Sequence, residues 1–251
     1  MSYVIVALAP LLGIGTLLIG AAIAWLWDVP RRVVAAVMAF GAGVMIAVLA
    51  FELVAHAVET GGLWPVVVGF SVGALLYVAG DRGIAALARR RREREAASRN
   101  VTARRGGDTS GNGGAIAVGA LLDGVPEAIA IGLSVISGFP VSMVVTIGLS
   151  NIPEGMAATV PLKASGRPAR FVFGLWAGIT AIAVAAAVVG SVAMRDAPPE
   201  VLAVMLSVAA GGLLAMVSNA MLPEAFEEDY WATGLLATVG FLVAFVVIEL
   251  G

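Results

Sequence analysis

Asp123, Pro126 and Glu127 fall in LLDGVPEAIAIGLS (residues 121–134). Ser150, Asn151, Pro153 and Glu154 fall in LSNIPEGMAATV (149–160). Both stretches are otherwise apolar. On a helix Asp123 and Glu127, four residues apart, share one face. Proline has no N–H, so Pro126 leaves the Leu122 carbonyl, and Pro153 the Leu149 carbonyl, without its helical donor. The two segments therefore gather three carboxylates, an amide, a hydroxyl and two bare carbonyls. Such a set offers oxygen to a guest. Hard divalent cations take oxygen ligands, while zinc accepts carboxylate but is equally served by nitrogen and sulfur. One divalent cation would neutralise two of the three negative charges, and a bridged pair would overcompensate by one.

The plain alternative is a pair of proline-kinked helices whose acids are protonated or paired. No Lys or Arg lies inside any predicted span core, which argues against pairing. An ionised side chain costs about 2.5 kcal/mol or more at the centre of a membrane helix, so three inert carboxylates would be an expensive arrangement. Both segments also read x-x-[VI]-P-E-[AG], as copies in opposite orientation would. Such pairs recur in transporters, where broken helices bring polar groups to a repeat interface near mid-membrane.

The elements that hold these groups follow from composition. The chain has 251 residues, 60% of them hydrophobic and 13% charged, with mean hydropathy +1.00. A soluble domain is about a quarter charged, so this is an all-α, polytopic membrane protein in a single transmembrane domain (1–251). Apolar runs near 20 residues suit a bilayer core of about 30 Å. They predict eight spans, at 3–27, 33–57, 62–80, 115–136, 141–162, 168–193, 200–222 and 231–250, with inverted repeats. The N-terminal run lacks a basic leader and reads as a first span. Residues 81–114 begin as a basic helical extension and end in Gly, Ser, Asn and Thr, as a flexible linker would. Of the 15 lysines and arginines only Arg195 falls on the side opposite that loop. The positive-inside rule then places loop 81–114 in the cytoplasm and both termini outside the cell membrane. The arginine run is this topology signal plus attraction to anionic lipid, and no nucleic-acid module accompanies it. Trp27, Trp64 and Trp231 read as interface anchors.

Other candidates lie outside the two motifs. Glu52 and the sole histidine, His56, are also four apart, in the outer half of span 2, and form either a candidate entrance for metal or a pair in which His56 is simply solvated at the membrane boundary. Asn219 in span 7 is placed to reach the pathway, with Ser218 and Glu224 as weaker candidates. Glu224 opens the acidic run PEAFEEDYW, which reads as a solvated loop. With no cysteine, thiolate sites and disulfides are excluded. GGDTSGNGG lacks the lysine and flanking elements of a phosphate loop.

The two Pro-Glu segments resemble the ZIP (Zrt/Irt-like) family of divalent-metal transporters, whose span 4 carries His-Asn-x-Pro-Glu-Gly and whose span 5 carries a related His-x-x-Pro-Glu-Gly. Eight spans, a long loop between spans 3 and 4 and external termini fit as well. GAGVMIAVLAFEL (41–53) looks like the family's span 2, and GGLLAMVSNAMLPEA (211–225) like its span 7. The resemblance implies that Glu127 and Glu154 are bridging metal carboxylates, with Asp123 and Asn151 as flanking ligands and Ser150 a weaker one. Here Asp123 stands for the family's histidine, Gly124 for its asparagine, Ser150 for the first histidine of span 5, and Ala220 for an acid of span 7. The implied function is transport of a divalent cation (Zn, Mn, Fe(II) or similar) into the cytoplasm, with the lipid bilayer and a second copy of the chain as partners. A proton-coupled transporter of a non-metal substrate, a ZIP-like chain that has lost transport, and an intramembrane enzyme are the rival readings. No nucleophile–base pair supports the last.

Lying outside every predicted span, residues 106–113 should tolerate deletion. The shortened chain is expected to insert and fold, as checked by expression and gel filtration in detergent.

Overall fold

Proline and glycine punctuate the chain. Prolines 30, 168 and 198, each in an extended conformation, stand immediately before helices, where a missing N–H costs nothing. Gly62 and Gly166, at φ 82° and 74°, turn the chain after Gly61 and after Ala164 in a region that disfavours a Cβ. A computed structural model describes residues 3–99, 113–138, 141–227 and 230–250. Every element in them is helical: α1 (Tyr3–Ile14), α2 (Thr16–Leu26), α3 (Arg31–Ala47), a π-helical stretch (Val48–Val54), α4 (Ala55–Gly61), α5 (Leu63–Arg99), α6 (Gly113–Ser137), α7 (Val141–Ala164), α8 (Ala169–Ala193), α9 (Pro199–Met216), a second π-helical stretch (Val217–Met221), α10 (Leu222–Phe226) and α11 (Tyr230–Leu250).

Six segments are long and apolar enough to cross a bilayer: Val4–Leu26, Arg31–Gly61, Leu63–Leu87, Ala169–Ala193, Pro199–Phe226 and Trp231–Leu250. They correspond to six of the eight expected spans. The other two, α6 and α7, are 25 and 24 residues long and carry the Pro-Glu motifs. The basic extension is helical to Arg99, with an exposed Arg89–Glu93 pair on it. The linker expected at 106–113 lies, except for Gly113, outside the described residues. Trp27, Trp64 and Trp231 are exposed, as interface anchors require.

Four helix pairs run parallel and cross at glycines. A Cβ on Gly20 would strike the Ile152 carbonyl, and one on Gly155 the Leu17 carbonyl, so α2 and α7 meet backbone to backbone. The same reciprocal arrangement joins α3 to α11 through Gly43 and Gly240, and α5 to α9 through Gly73 and Gly211. The pair α6 and α8 crosses at Gly132 and Gly190, where Ile129 packs beside the second glycine. In hydrocarbon the hydrophobic effect does not drive helices together, so close backbone approach and its dispersion contacts carry the association. The crossings define two groups, α1–α2–α6–α7–α8 and α3–α4–α5–α9–α10–α11. They touch chiefly where α3 lies across α7, with Gly41 against the Pro153 ring. At the basic-loop end the Lys163 ammonium donates to the Ala24 and Trp27 carbonyls (3.3 Å each) and to Asp28 (2.8 Å), tying the end of α7 to the end of α2. This bond holds the exposed Asp28 carboxyl below the usual carboxylate range.

Gly155→Ala must push α2 from α7 and is expected to cost about 1–3 kcal/mol. Gly174→Ala, whose Cβ meets nothing within 4 Å, is expected to leave the melting temperature in detergent unchanged or raised.

Candidate metal site

The parallel packing of α6 beside α8, and of α7 beside α2, brings the two Pro-Glu segments into one interior. Their direct link is a hydrogen bond from Asn151 Nδ2 to Glu127 Oε2 at 3.0 Å. Glu127 is 0% exposed and Asn151 1%. The other Glu127 oxygen, Oε1, is buried without a hydrogen-bond partner, as is Asp123 Oδ1. Asp123 also lies against the Tyr77 hydroxyl of α5. Glu154 lies within electrostatic reach of Asp123, Glu127 and Glu224, so the three motif carboxylates share one field.

Asp123 and Glu154 face a common cavity of about 260 Å³. Its wall includes Met38, Trp176, Ala220 and Glu224. Met38 and Trp176 lie toward the helix ends that carry basic connections, and Ala220 and Glu224 lie at the end of α9–α10 packed beside them, so the cavity belongs to that half of the molecule. Glu127, one helical turn beyond Asp123, lines no part of it and sits behind it. The Ser150 hydroxyl donates to its own helix at the Ile147 carbonyl, 2.9 Å away. Asn219 is exposed on the second π-helical stretch and is absent from the cavity wall, whereas its neighbour Ala220 is part of it. Glu52 and His56 lie apart from this group, on and just after the first π-helical stretch.

Two polar residues, Tyr77 and Thr180, escaped the sequence reading, and Glu224 entered it only as a weaker candidate. Tyr77 is 7% exposed, and its place was hidden because one tyrosine in a long apolar run carries no spacing signal. Glu224, read as the start of a solvated loop, instead lines the cavity. Thr180 of α8 is 3% exposed, and its hydroxyl has no partner. Buried Ser and Thr elsewhere return their proton to a carbonyl three or four residues back, as Thr146, Ser191 and Ser207 do. With Gly132 beside Ala187 and Ser191, and Gly119 and Trp176 in one cavity wall, the α6–α8 register puts Thr180 near the depth of Asp123. A lone threonine among Gly, Ile and Ala was the only trace it left in the sequence.

Chemically the arrangement is an oxygen-rich chamber lined by acidic side chains. Among the described residues, no Lys or Arg pairs with Asp123, Glu127 or Glu154. Nor are three His, Asp or Glu drawn together tightly enough to grip a metal ion as they stand. Asn151 occupies one Glu127 oxygen. A Cβ on Gly124 would meet nothing within 4 Å, so the position beside Asp123 holds open space.

The family model for the ZIP zinc transporter matches residues 89–250. The chain belongs to the ZIP zinc transporter family. No curated protein matches it. Family membership and the apolar helices together make it a multi-pass membrane protein of a metal-transporting class. The matched region contains both Pro-Glu segments of this ZIP chain and the glycine crossings of α6 with α8.

The Glu127–Asn151 bond is expected to be structurally coupled. Asn151→Leu strips Glu127 of its one buried donor and should destabilise by about 1–3 kcal/mol. Most of that cost should vanish in a Glu127→Leu background, as read by a double-mutant cycle on thermal unfolding.

Proposed function

We propose that this ZIP protein carries a divalent cation through the oxygen-rich chamber between α6 and α7, with Glu127 and Glu154 on the same cation or on a closely spaced pair. The observation that carries the reading is a set of carboxyl groups with no basic partner among the described residues, two of which open onto a cavity. A cation from outside the chain would compensate them where they ionise. Asp123 and Asn151 are the flanking ligands, and the Tyr77 hydroxyl orients Asp123. Asn151 can serve only by turning its amide oxygen inward, which releases Glu127 Oε2 at the same time.

All eight helical segments span the membrane in this reading. At 1.5 Å per residue α6 and α7 are about 37 and 36 Å long, enough for a hydrocarbon core of about 30 Å. Each also runs alongside an apolar span. An inverted duplication of the first three spans onto the last three, and of span 4 onto span 5, would exchange the α2–α7 crossing with α8–α6, and α3–α11 with the α9–α5 crossing. All four crossings are present, and the π-helical stretches fall in the matching spans 2 and 7. This pattern supports the repeat. With the arginine-rich side in the cytoplasm, the cavity faces inward and cargo moves from outside to cytoplasm, the glycine-joined groups shifting against each other across the α3–α7 contact.

Zinc is the family's metal, and the all-oxygen chamber also admits manganese and iron(II). Metal competes with protons for the carboxylates, so affinity should fall as pH falls. Purified protein is expected to gain about 2.7 kcal/mol of thermal stability at a metal concentration 100 times Kd. Glu127→Gln and Glu154→Gln should each abolish metal uptake into proteoliposomes while the apo protein stays folded, and the double variant should be no worse than either. Asp123→His should favour zinc over manganese. Uptake at the wild-type rate by either Gln variant would sink the shared site.

A further inference from the structure

The first π-helical stretch carries a second polar group that the transport chamber does not use. Both carboxylate oxygens of Glu52 and Nε2 of His56 are buried and have no hydrogen-bond partner. Three such atoms within one turn of a helix are costly unless something meets them. Their direction is fixed by neighbours. Phe51 packs on Phe241 and Phe245 of α11, with ring centroids 5.8 and 5.2 Å apart. The adjacent Glu52 lies near Ser142 at the start of α7, and the π-helical stretch also packs on α9. Thr60 anchors the turn through a 2.7 Å bond to the His56 carbonyl, which leaves the imidazole itself free.

The group stands well away from the chamber. Gly41 is level with Pro153, and Glu52 is eleven residues further along the same segment, about 16 Å at helical rise. Ser142, twelve residues before Glu154 on α7, gives a similar figure of about 18 Å. The direction is away from the basic loops and the 260 Å³ cavity. Beyond it the rim carries Glu59 and Glu200, the latter packed near Gly61. His56 is also the only histidine in the chain, and there is no cysteine. It is therefore the one strong nitrogen or sulfur donor that a metal can meet.

We infer that Glu52 and His56 form a second cation site on the face opposite the cavity, completed by water and the Ser142 hydroxyl, and that this site, not the chamber, favours a transition metal over magnesium or calcium. Imidazole binds zinc, iron and nickel far better than it binds the alkaline-earth ions, whereas an all-oxygen chamber discriminates weakly. As a binding site it stands on its own geometry. Its role as the selective step of uptake rests on the transport reading.

The test is equilibrium dialysis of Zn2+ and Mg2+ on the full chain in detergent, with thermal unfolding as the check of folding. Glu127→Gln should retain one Zn2+ site. Adding His56→Gln or Glu52→Gln should weaken that site by about tenfold or more, while Mg2+ binding changes little. In proteoliposomes His56→Gln alone should let excess Mg2+ inhibit Zn2+ uptake, and uptake without Mg2+ should continue. If folded Glu127→Gln binds no Zn2+, or if the double variant binds as Glu127→Gln does, the second site is refuted. If His56→Gln removes one Zn2+ but Glu127→Gln removes none, the outer site stands and the chamber reading falls.

Discussion

The arrangement turns on three interior carboxyl groups for which the described residues supply no basic partner. Asp123, Glu127 and Glu154 occupy the interior, and among the described residues their polar company is the Asn151 amide, the Tyr77 phenol and the further acids Asp81 and Glu224. An uncompensated carboxylate in such surroundings is costly. Basic side chains were not out of supply, since the chain has 15 lysines and arginines. They lie at the ends of the helices, and Lys163 caps α2 and binds Asp28 instead of reaching inward. An internal salt bridge would have satisfied the acids permanently and closed the chamber to any cation. Keeping the bases away makes the interior less stable and leaves it receptive.

That receptive interior needs a frame that tolerates repulsion, and glycine provides it. Where α2 meets α7, and α3 meets α11, backbones touch with no side chain between them. Contacts of this kind lie along stiff helices and do not depend on the chamber's state of charge. Proline acts in the complementary direction. Pro153 presses its ring on Gly41 of α3, so the residue that frees a carbonyl beside Glu154 is also one of the contacts between the two helix groups, alongside α6 on α9 and α5. Occupancy of the chamber and relative position of the groups therefore share one element. That is the requirement for a ligand to bias one arrangement over another.

Much of this was legible in the sequence because hydropathy and motif spacing are local. Six apolar segments, the two Pro-Glu helices and the family itself follow from residues read in order. The Asn151–Glu127 bond was approached only as proximity, since both residues were singled out but their direct pairing depends on helix rotation. The parts that stayed hidden are set by register between helices far apart in sequence. Tyr77 reaches Asp123 only because α5 packs on α6. Thr180 lacks the return bond that Thr146, Ser191 and Ser207 make, which no composition reveals. Glu224 belongs to an acidic run, and runs of charge are usually solvated. Here α10 continues α9 far enough to turn that one carboxylate back into the cavity wall.

The two π-helical stretches bring these points together. Each widens a span near one end, at Val48–Val54 in the second and Val217–Met221 in the seventh, and such bulges are concentrated at functional sites because i→i+5 bonding redirects side chains at a cost in helical stability. On the basic-loop side the widening puts Ala220 and Met221 in the wall of an open cavity. On the opposite side it turns Glu52 toward α7 and packs it away from water. The two distortions thus act at opposite ends of the molecule, one beside an open cavity and the other where carboxylate oxygens lie buried against a neighbouring helix.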